Sequence, residues 1–139
     1  MTHQEMLFIH VMNVIKEMTD KFEDKITVQR YDESQKDVLG IIFLPAKSDN
    51  YDLDGLVSES KKFEVRVTCE DNQEDIFENW EFIEKFVDKF IETDSTVEGL
   101  GIESVSYLGS KVIPLYTNAY GLQELKCSIS MTVYFDDYE

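Results

Sequence analysis

A few side chains in this sequence have types and spacings that could do chemistry. The nearest to a metal site is Asn50, Asp52, Asp54 and Gly55, with Asp49 and Tyr51 beside them. Oxygen donors at alternate positions before a glycine match the first half of an EF-hand calcium loop, and Val57 suits the eighth position. The match fails at the twelfth position, which needs a bidentate acid and holds Lys61. The segment also follows a strand-like run ending at Pro45, not a helix. An acidic turn is the expectation. His3 and His10 lie two turns apart on a helical stretch, too far to share one ion unaided, and zinc wants three or four converging ligands. Gly99, Gly101 and Ser104 lack the third glycine of a dinucleotide fingerprint and open a strand after a helix, the reverse of what phosphate cradling needs. Ser104, Ser128 and Ser130 have no histidine nearby in sequence and fit an exposed strand face. No catalytic residue, metal ligand or cofactor site is expected, and the chain reads as an interaction protein rather than an enzyme.

Charge is the feature that stands out. The chain has 139 residues with 29 acids, 13 bases and a net charge of −16. From Glu70 to Glu98 there are 11 acids and 2 bases, a balance of −9 on one segment. Binding to nucleic acid by phosphate neutralisation, and adhesion to anionic membrane, are therefore disfavoured. Such a face keeps a helix soluble, or it meets a basic partner, or it imitates a row of phosphates. Glu78, Glu81 and Asp88 are its candidate contact residues.

The elements that must position these groups follow from periodicity. Residues 3–22 place Met6, Leu7, Ile9, His10, Val11, Val14, Ile15, Met18 and Phe22 at helical spacings, with Thr2 and Glu5 as a capping box. Lys25 to Arg30 reads as a short strand, Asp32 to Lys36 as a hairpin turn, and Val38 to Leu44 as a more central strand. Ala46 to Ser60 is a long polar connection of the kind that is often functional. Lys62 to Thr68 alternates as a third strand. Glu70 to Thr93 is a second helix, capped by Asp71 or Asn72, whose stripe is Ile76, Trp80, Ile83, Val87 and Phe90, widened by Phe77, Phe86 and Ile91. Ile102 to Leu108 forms a strand entered through Gly99 and Gly101, and Tyr116 to Gly121 a broad turn. Leu122 to Phe135 is the longest strand, with Leu125, Cys127, Ile129, Met131, Val133 and Phe135 on one face and Lys126, Ser128, Ser130, Thr132 and Tyr134 on the other. The expected fold is one α+β domain over residues 1–139. Two helices pack on one face of a mainly antiparallel sheet of about five strands, in the order α-β-β-β-α-β-β.

Cys69 and Cys127 sit in strand-like runs and read as buried thiols of a reducing compartment. Met1 to Glu5 offers no leader features, and no apolar run reaches membrane-spanning length, so a soluble cytosolic product is expected.

The acidic amphipathic helix with its tryptophan (ENWEFIEKFVDKFIE), the segment GIESVSYLGS, and the long strand ending in TVYFDDYE together resemble tail terminator or tail-completion proteins of tailed bacteriophages, also described as minor capsid proteins. The resemblance rests on Glu78 to Tyr138, and the preceding layout of helix, hairpin, long loop and strand is similar. It implies a hexameric ring on the head-proximal end of a tail tube, which stops tube growth and joins the head connector without catalysis. Implied partners are other copies of the chain, the tail tube protein and the neck proteins, with no membrane and with DNA only passing through the lumen. The implied setting is the host cytoplasm during assembly and then the virion. The contact elements it suggests are the loop Ala46 to Ser60, with Asp49, Asn50, Tyr51, Asp52 and Asp54, and the turn Leu108 to Gly121, with Tyr116, Asn118 and Tyr120. Segregated charge and a long edge strand suit a heterologous ring. The competing expectation is a DNA mimic or other acidic inhibitor that fills a basic cleft.

Overall fold

The computed structural model describes residues 1–45, 50–51 and 57–136, with the backbone alone at 50, 51 and 57. Helix α1 spans His3–Met18. It opens on the expected capping box: Thr2 Oγ1 accepts the Glu5 N–H at 3.1 Å, and Glu5 accepts the Thr2 N–H at 3.3 Å. It stops at an extended Thr19, short of Phe22, which packs from the following turn with its ring 5.2 Å from that of Phe82. Helix α2 spans Gln73–Glu92, and Asn72 rather than Asp71 caps it by accepting the Asp75 N–H at 2.9 Å. Ile83, Phe86, Val87 and Phe90 are buried along its inner stripe. Phe77 and Ile91 do not widen that stripe. They lie on a flank the sheet does not reach, and Phe77 is 61% exposed. Lys21 reaches Asn79 and Lys89 reaches Glu17, so the two helices run antiparallel.

The strands are β1 (Ile26–Val28), β2 (Leu39–Leu44), β3 (Asn50–Tyr51), β4 (Val57–Glu70), β5 (Leu100–Tyr107), β6 (Ile113–Pro114) and β7 (Leu122–Phe135). They form one sheet in the order β1-β2-β4-β7-β5, with β3 beside β4 and β6 beside β7. The five principal strands, taken with the helices, follow the expected α-β-β-β-α-β-β order, and every pairing is antiparallel except β1 with β2. Alternation of apolar and polar side chains along β7 holds from Leu125 to Val133, although Ser128 on the polar face is buried too. Leu125, Cys127, Ile129, Met131 and Val133 join Phe63, Val65 and Val67 of β4 in a buried layer beneath the helices. The ring of Phe90 lies 5.4 Å from that of Phe63, so α2 packs directly on this layer.

Three expectations are corrected. Asp32 to Lys36 does not close a hairpin, because β1 and β2 are parallel, with Ile26 beside Leu39 and Val28 beside Ile41. Left-handed backbone at Gln29 (φ 66°) and Asp37 (φ 61°) turns the chain out of one strand and into the other. The crossover is tied to β4, where Thr68 Oγ1 donates to the Gln35 carbonyl at 2.6 Å and the Asp37 N–H donates to the Thr68 carbonyl at 2.9 Å. Those distant partners, not the local turn residues, decide the direction of β2. The second correction is to the long connection. It contains β3, and β4 already begins at Val57, ahead of the expected Lys62. The third concerns the edges: the two longest strands, β4 and β7, are both interior, and the edges are β1 and β5.

Candidate functional site

The sheet face away from the helices carries a cluster of charged and polar side chains. Arg66 of β4 and Lys126 of β7 stand directly opposite each other, a pairing of like charges that would repel if left alone. Glu64 takes both: its carboxylate accepts from Arg66 Nη2 at 2.8 Å, Arg66 Nε at 2.9 Å, Lys126 Nζ at 2.7 Å and Ser128 Oγ at 3.3 Å. Burial opposes ionisation of Glu64, but the hydrogen bonds from Lys126 and Arg66 outweigh it and hold the carboxyl below its ordinary value. Glu124, also buried, accepts from the Tyr31 hydroxyl and from Asn118 Nδ2. Burial first, and then the Glu124 carboxylate, push the Tyr31 phenol up to about 12. The Tyr31 ring lies flat over Gly40, where a Cβ would approach Cδ1 to 2.5 Å, so glycine is what lets the crossover reach Glu124.

This cluster pins the turn expected to make contacts. Asn118 is the pin. Its Nδ2 donates to the Glu33 carbonyl and to Glu124, both at 2.9 Å, and its Oδ1 accepts from the N–H groups of Tyr120 at 2.9 Å and Leu122 at 3.2 Å. Tyr116 and Tyr120 are left aimed at solvent, 85% and 65% exposed. Thr117 Oγ1 reaches Asp71 at 3.3 Å, so the turn sits beside the N-terminal end of α2. A cleft of about 320 Å³ opens here between Glu33, Arg66, Asn118 and Glu124. Arg66, Asn118 and Glu124 are all engaged in the contacts above.

The other expected contact element lies at the far end. Asn50 and Tyr51 pair through their backbones with Ser58 and Val57, across the ladder from Tyr134. Asp49, Asp52 and Asp54 lie outside the described residues, and so does most of the calcium-like motif. Among the described residues no three His, Cys, Asp or Glu side chains gather to hold a metal ion. His3 stacks on Phe135 at 3.7 Å and meets Glu59 at 3.1 Å, whereas His10 is buried and accepts the Thr96 N–H at 3.2 Å. Both histidines belong to α1, on the opposite side of the sheet from Ser104, Ser128 and Ser130. Cys69 and Cys127 are free and buried; they sit on adjacent strands, but opposite Gln123 and Val65 rather than each other.

Glu78, Glu81 and Asp88 are exposed, and each meets a lysine: Glu78 with Lys21 at 3.5 Å, Glu81 with Lys85 at 2.7 Å and Asp88 with Lys111 at 2.6 Å. Pairs so open to water bind weakly and leave the helix strongly negative. No helix among the described residues is long and apolar enough to cross a membrane. No family model and no curated protein matches the chain. Sequence reasoning missed Tyr31, Glu64, Arg66, Glu124 and Lys126. The available signal was the run of charges on the polar faces of two strands, but its meaning depends on the β4–β7 register.

Proposed function

We propose that this chain is a non-catalytic structural subunit of a phage particle. Copies close into a ring, hexameric by resemblance, that caps the head-proximal end of the tail tube, ends its growth and joins it to the head connector. The subunit assembles in the host cytoplasm and remains in the virion, with DNA only passing through the lumen. One observation carries this reading. The β3–β4 strand pair and the Tyr116–Tyr120 turn lie at opposite ends of the β4–β7 pair, about 40 Å apart at the usual rise per residue. A subunit that touches the tube on one side and the neck on the other needs its contact elements separated in this way. Among the described residues no strand pairs with the outer side of β1 or β5, which leaves those edges to lateral neighbours.

The test is binding to tail tubes assembled from the tube protein of the same genome, scored by co-sedimentation and electron microscopy. The expected result is density at one tube end only, weakened by Tyr116→Ala with Tyr120→Ala or by changes in the β3–β4 strand pair. No binding, or decoration along the sides of the tube, sinks this reading. A second reading, an acidic inhibitor of a basic protein, draws on the exposure of Glu78 and Glu81. It expects competition with DNA for a basic protein, abolished by reversing Glu78, Glu81 and Asp88.

A further inference from the structure

We propose that the two outer strands of the sheet, each unpaired on one side among the described residues, pair with each other between copies, β1 of one copy adding antiparallel to β5 of the next. The matched residues are Ile26 with Tyr107 and Val28 with Val105. This deepens the ring reading and rests on it for closure. Strand direction is the first support. β1 and β2 run one way, β4 the other, β7 with β2, and β5 opposite again. A rotation about an axis along the strands preserves every direction. Lateral neighbours related in that way therefore present β1 and β5 to each other antiparallel, and a head-to-tail contact of this kind closes into a ring.

The backbone groups fit. The Lys25 carbonyl accepts from Leu39 at 3.1 Å and the Gln29 N–H donates to Ile41 at 2.9 Å, so Lys25, Thr27 and Gln29 face β2, while Ile26 and Val28 turn their N–H and C=O outward. On the other edge the Leu108 N–H donates to Ser128 at 2.8 Å, and Ser106 lies opposite Ser130. Ser106 and Leu108 therefore face β7, and Val105 and Tyr107 turn outward. The proposed register joins outward residues only, each pair exchanging both hydrogen bonds.

The faces fit as well. Ile26 and Val28 lie on the helix side, opposite Leu39 and Ile41, and Val105 and Tyr107 lie on that same side, opposite Met131 and Ile129. Val28 is 45% exposed and Tyr107 38%, and the pairing covers both. Thr27 meets Ser106 on the other face. Charge completes the match. Lys25 and Arg30 flank β1, Glu103 stands exposed at the bulge of β5, and none of the three has an ion-pair partner among the described residues. Arg30 lies just past the Val28 end of β1 and Glu103 just ahead of Val105, so their opposite charges fall at the same end of the joined strands.

The test is intermolecular disulfide trapping in the full chain carrying Val28→Cys and Val105→Cys. Paired positions place Cα atoms about 5.5 Å apart, within disulfide range. Cys69 and Cys127 are buried with thiols pushed up to about 11 and about 12, so they compete poorly. The expected result is a ladder of covalent oligomers ending in one closed species, absent from either single variant. Adding Arg30→Glu should cut its yield several-fold, and adding Glu103→Arg as well should restore it. A ladder missing at concentrations where light scattering detects rings overturns edge pairing and leaves the ring reading intact. So does a ladder that forms equally well in the single variants. No ladder and no ring at any concentration, with or without tail tubes, overturns both. A full ladder in a protein that binds no tail tube upholds the pairing and sinks the tail reading.

Discussion

Replacing Glu64 with leucine tests the reasoning about the open sheet face most directly. Glu64 is 6% exposed and accepts hydrogen bonds from Arg66, Lys126 and Ser128. Leucine removes the anion and leaves Arg66 and Lys126 facing each other uncompensated. Removing one member of a buried ion pair costs about 3–5 kcal/mol. Here both cations are only partly buried and can turn towards water, so the expected loss is about 2 kcal/mol. For a chain of this size that lowers Tm by about 6 °C. Urea unfolding followed by circular dichroism measures it, with Glu64→Leu, Arg66→Met, Lys126→Met as the companion. Replacing a whole buried charge cluster by apolar groups is often neutral, so the triple variant should recover most of the loss. The pH dependence has a definite sign. The folded pKa of Glu64 is depressed, so its contribution is complete above the unfolded carboxylate range and is lost as pH falls through the folded value. The gap between the native chain and Glu64→Leu must therefore narrow in acid. A cost below about 0.5 kcal/mol at neutral pH, the ordinary spread of surface changes, or a gap that persists in acid, refutes the account.

The Tyr31 phenol, pushed up to about 12 by burial and by Glu124, should give a late step in an absorbance titration. Because its folded pKa is raised, the stability it lends is complete below about 10 and is lost between about 10 and about 12; Tyr31→Phe should remove the late step. His10 accepts the Thr96 N–H at Nδ1, so its proton sits on Nε2, and burial lowers its pKa. Nitrogen-15 NMR should show the Nε2–H tautomer, and stability should fall as pH drops below about 6.5, an effect lost in His10→Gln. Gly40→Ala drives a methyl into the Tyr31 ring and should cost about 1–3 kcal/mol, the usual penalty of overpacking, far less in a Tyr31→Ala background. Asn72→Ala removes the cap of α2 and should cost about 1 kcal/mol by thermal unfolding, whereas Asp71→Ala should cost little.

What sequence could reveal here divides by range. The strand Leu122–Phe135, the Thr2 capping box and the inner stripe of α2 depend on neighbours within a few residues, and periodicity reads them well. The parallel pairing of β1 and β2 depends on Thr68 and Glu124, far along the chain, so turn-forming residues at Asp32 to Lys36 pointed to the wrong connection. Asn118 illustrates the same limit at the candidate site. As a polar residue in an exposed-looking turn it reads as a contact, yet its amide is occupied by Glu33, Glu124, Tyr120 and Leu122, while Tyr116 and Tyr120 stay exposed. The charges of Glu64, Arg66 and Lys126 were plain in sequence. That they compensate one another follows only from a register joining strands about 60 residues apart.

The open face also changes character along its length, and this bears on what a ring of such subunits could do. At the Glu124 end it is covered by the crossover and the turn, and its charges are locked together. Towards Tyr134 no described segment covers it, and it carries Ser60, Lys62, Ser104, Ser106, Ser130 and Thr132, with Ile42 and Leu44 of β2 beside them. The helical face opposite holds most of the negative surplus. If the proposed ring forms with strands along its axis, one of these faces would line the lumen and the other would look outward. Either choice lets a polyanion slide: the acidic helix by repulsion, the serine face by offering few cations to hold phosphates. The two differ in their response to salt. Repulsion from α2 is screened as ionic strength rises, whereas a neutral lumen is indifferent to it. Salt dependence of DNA passage therefore reports which face lines the lumen, independently of how the copies are joined.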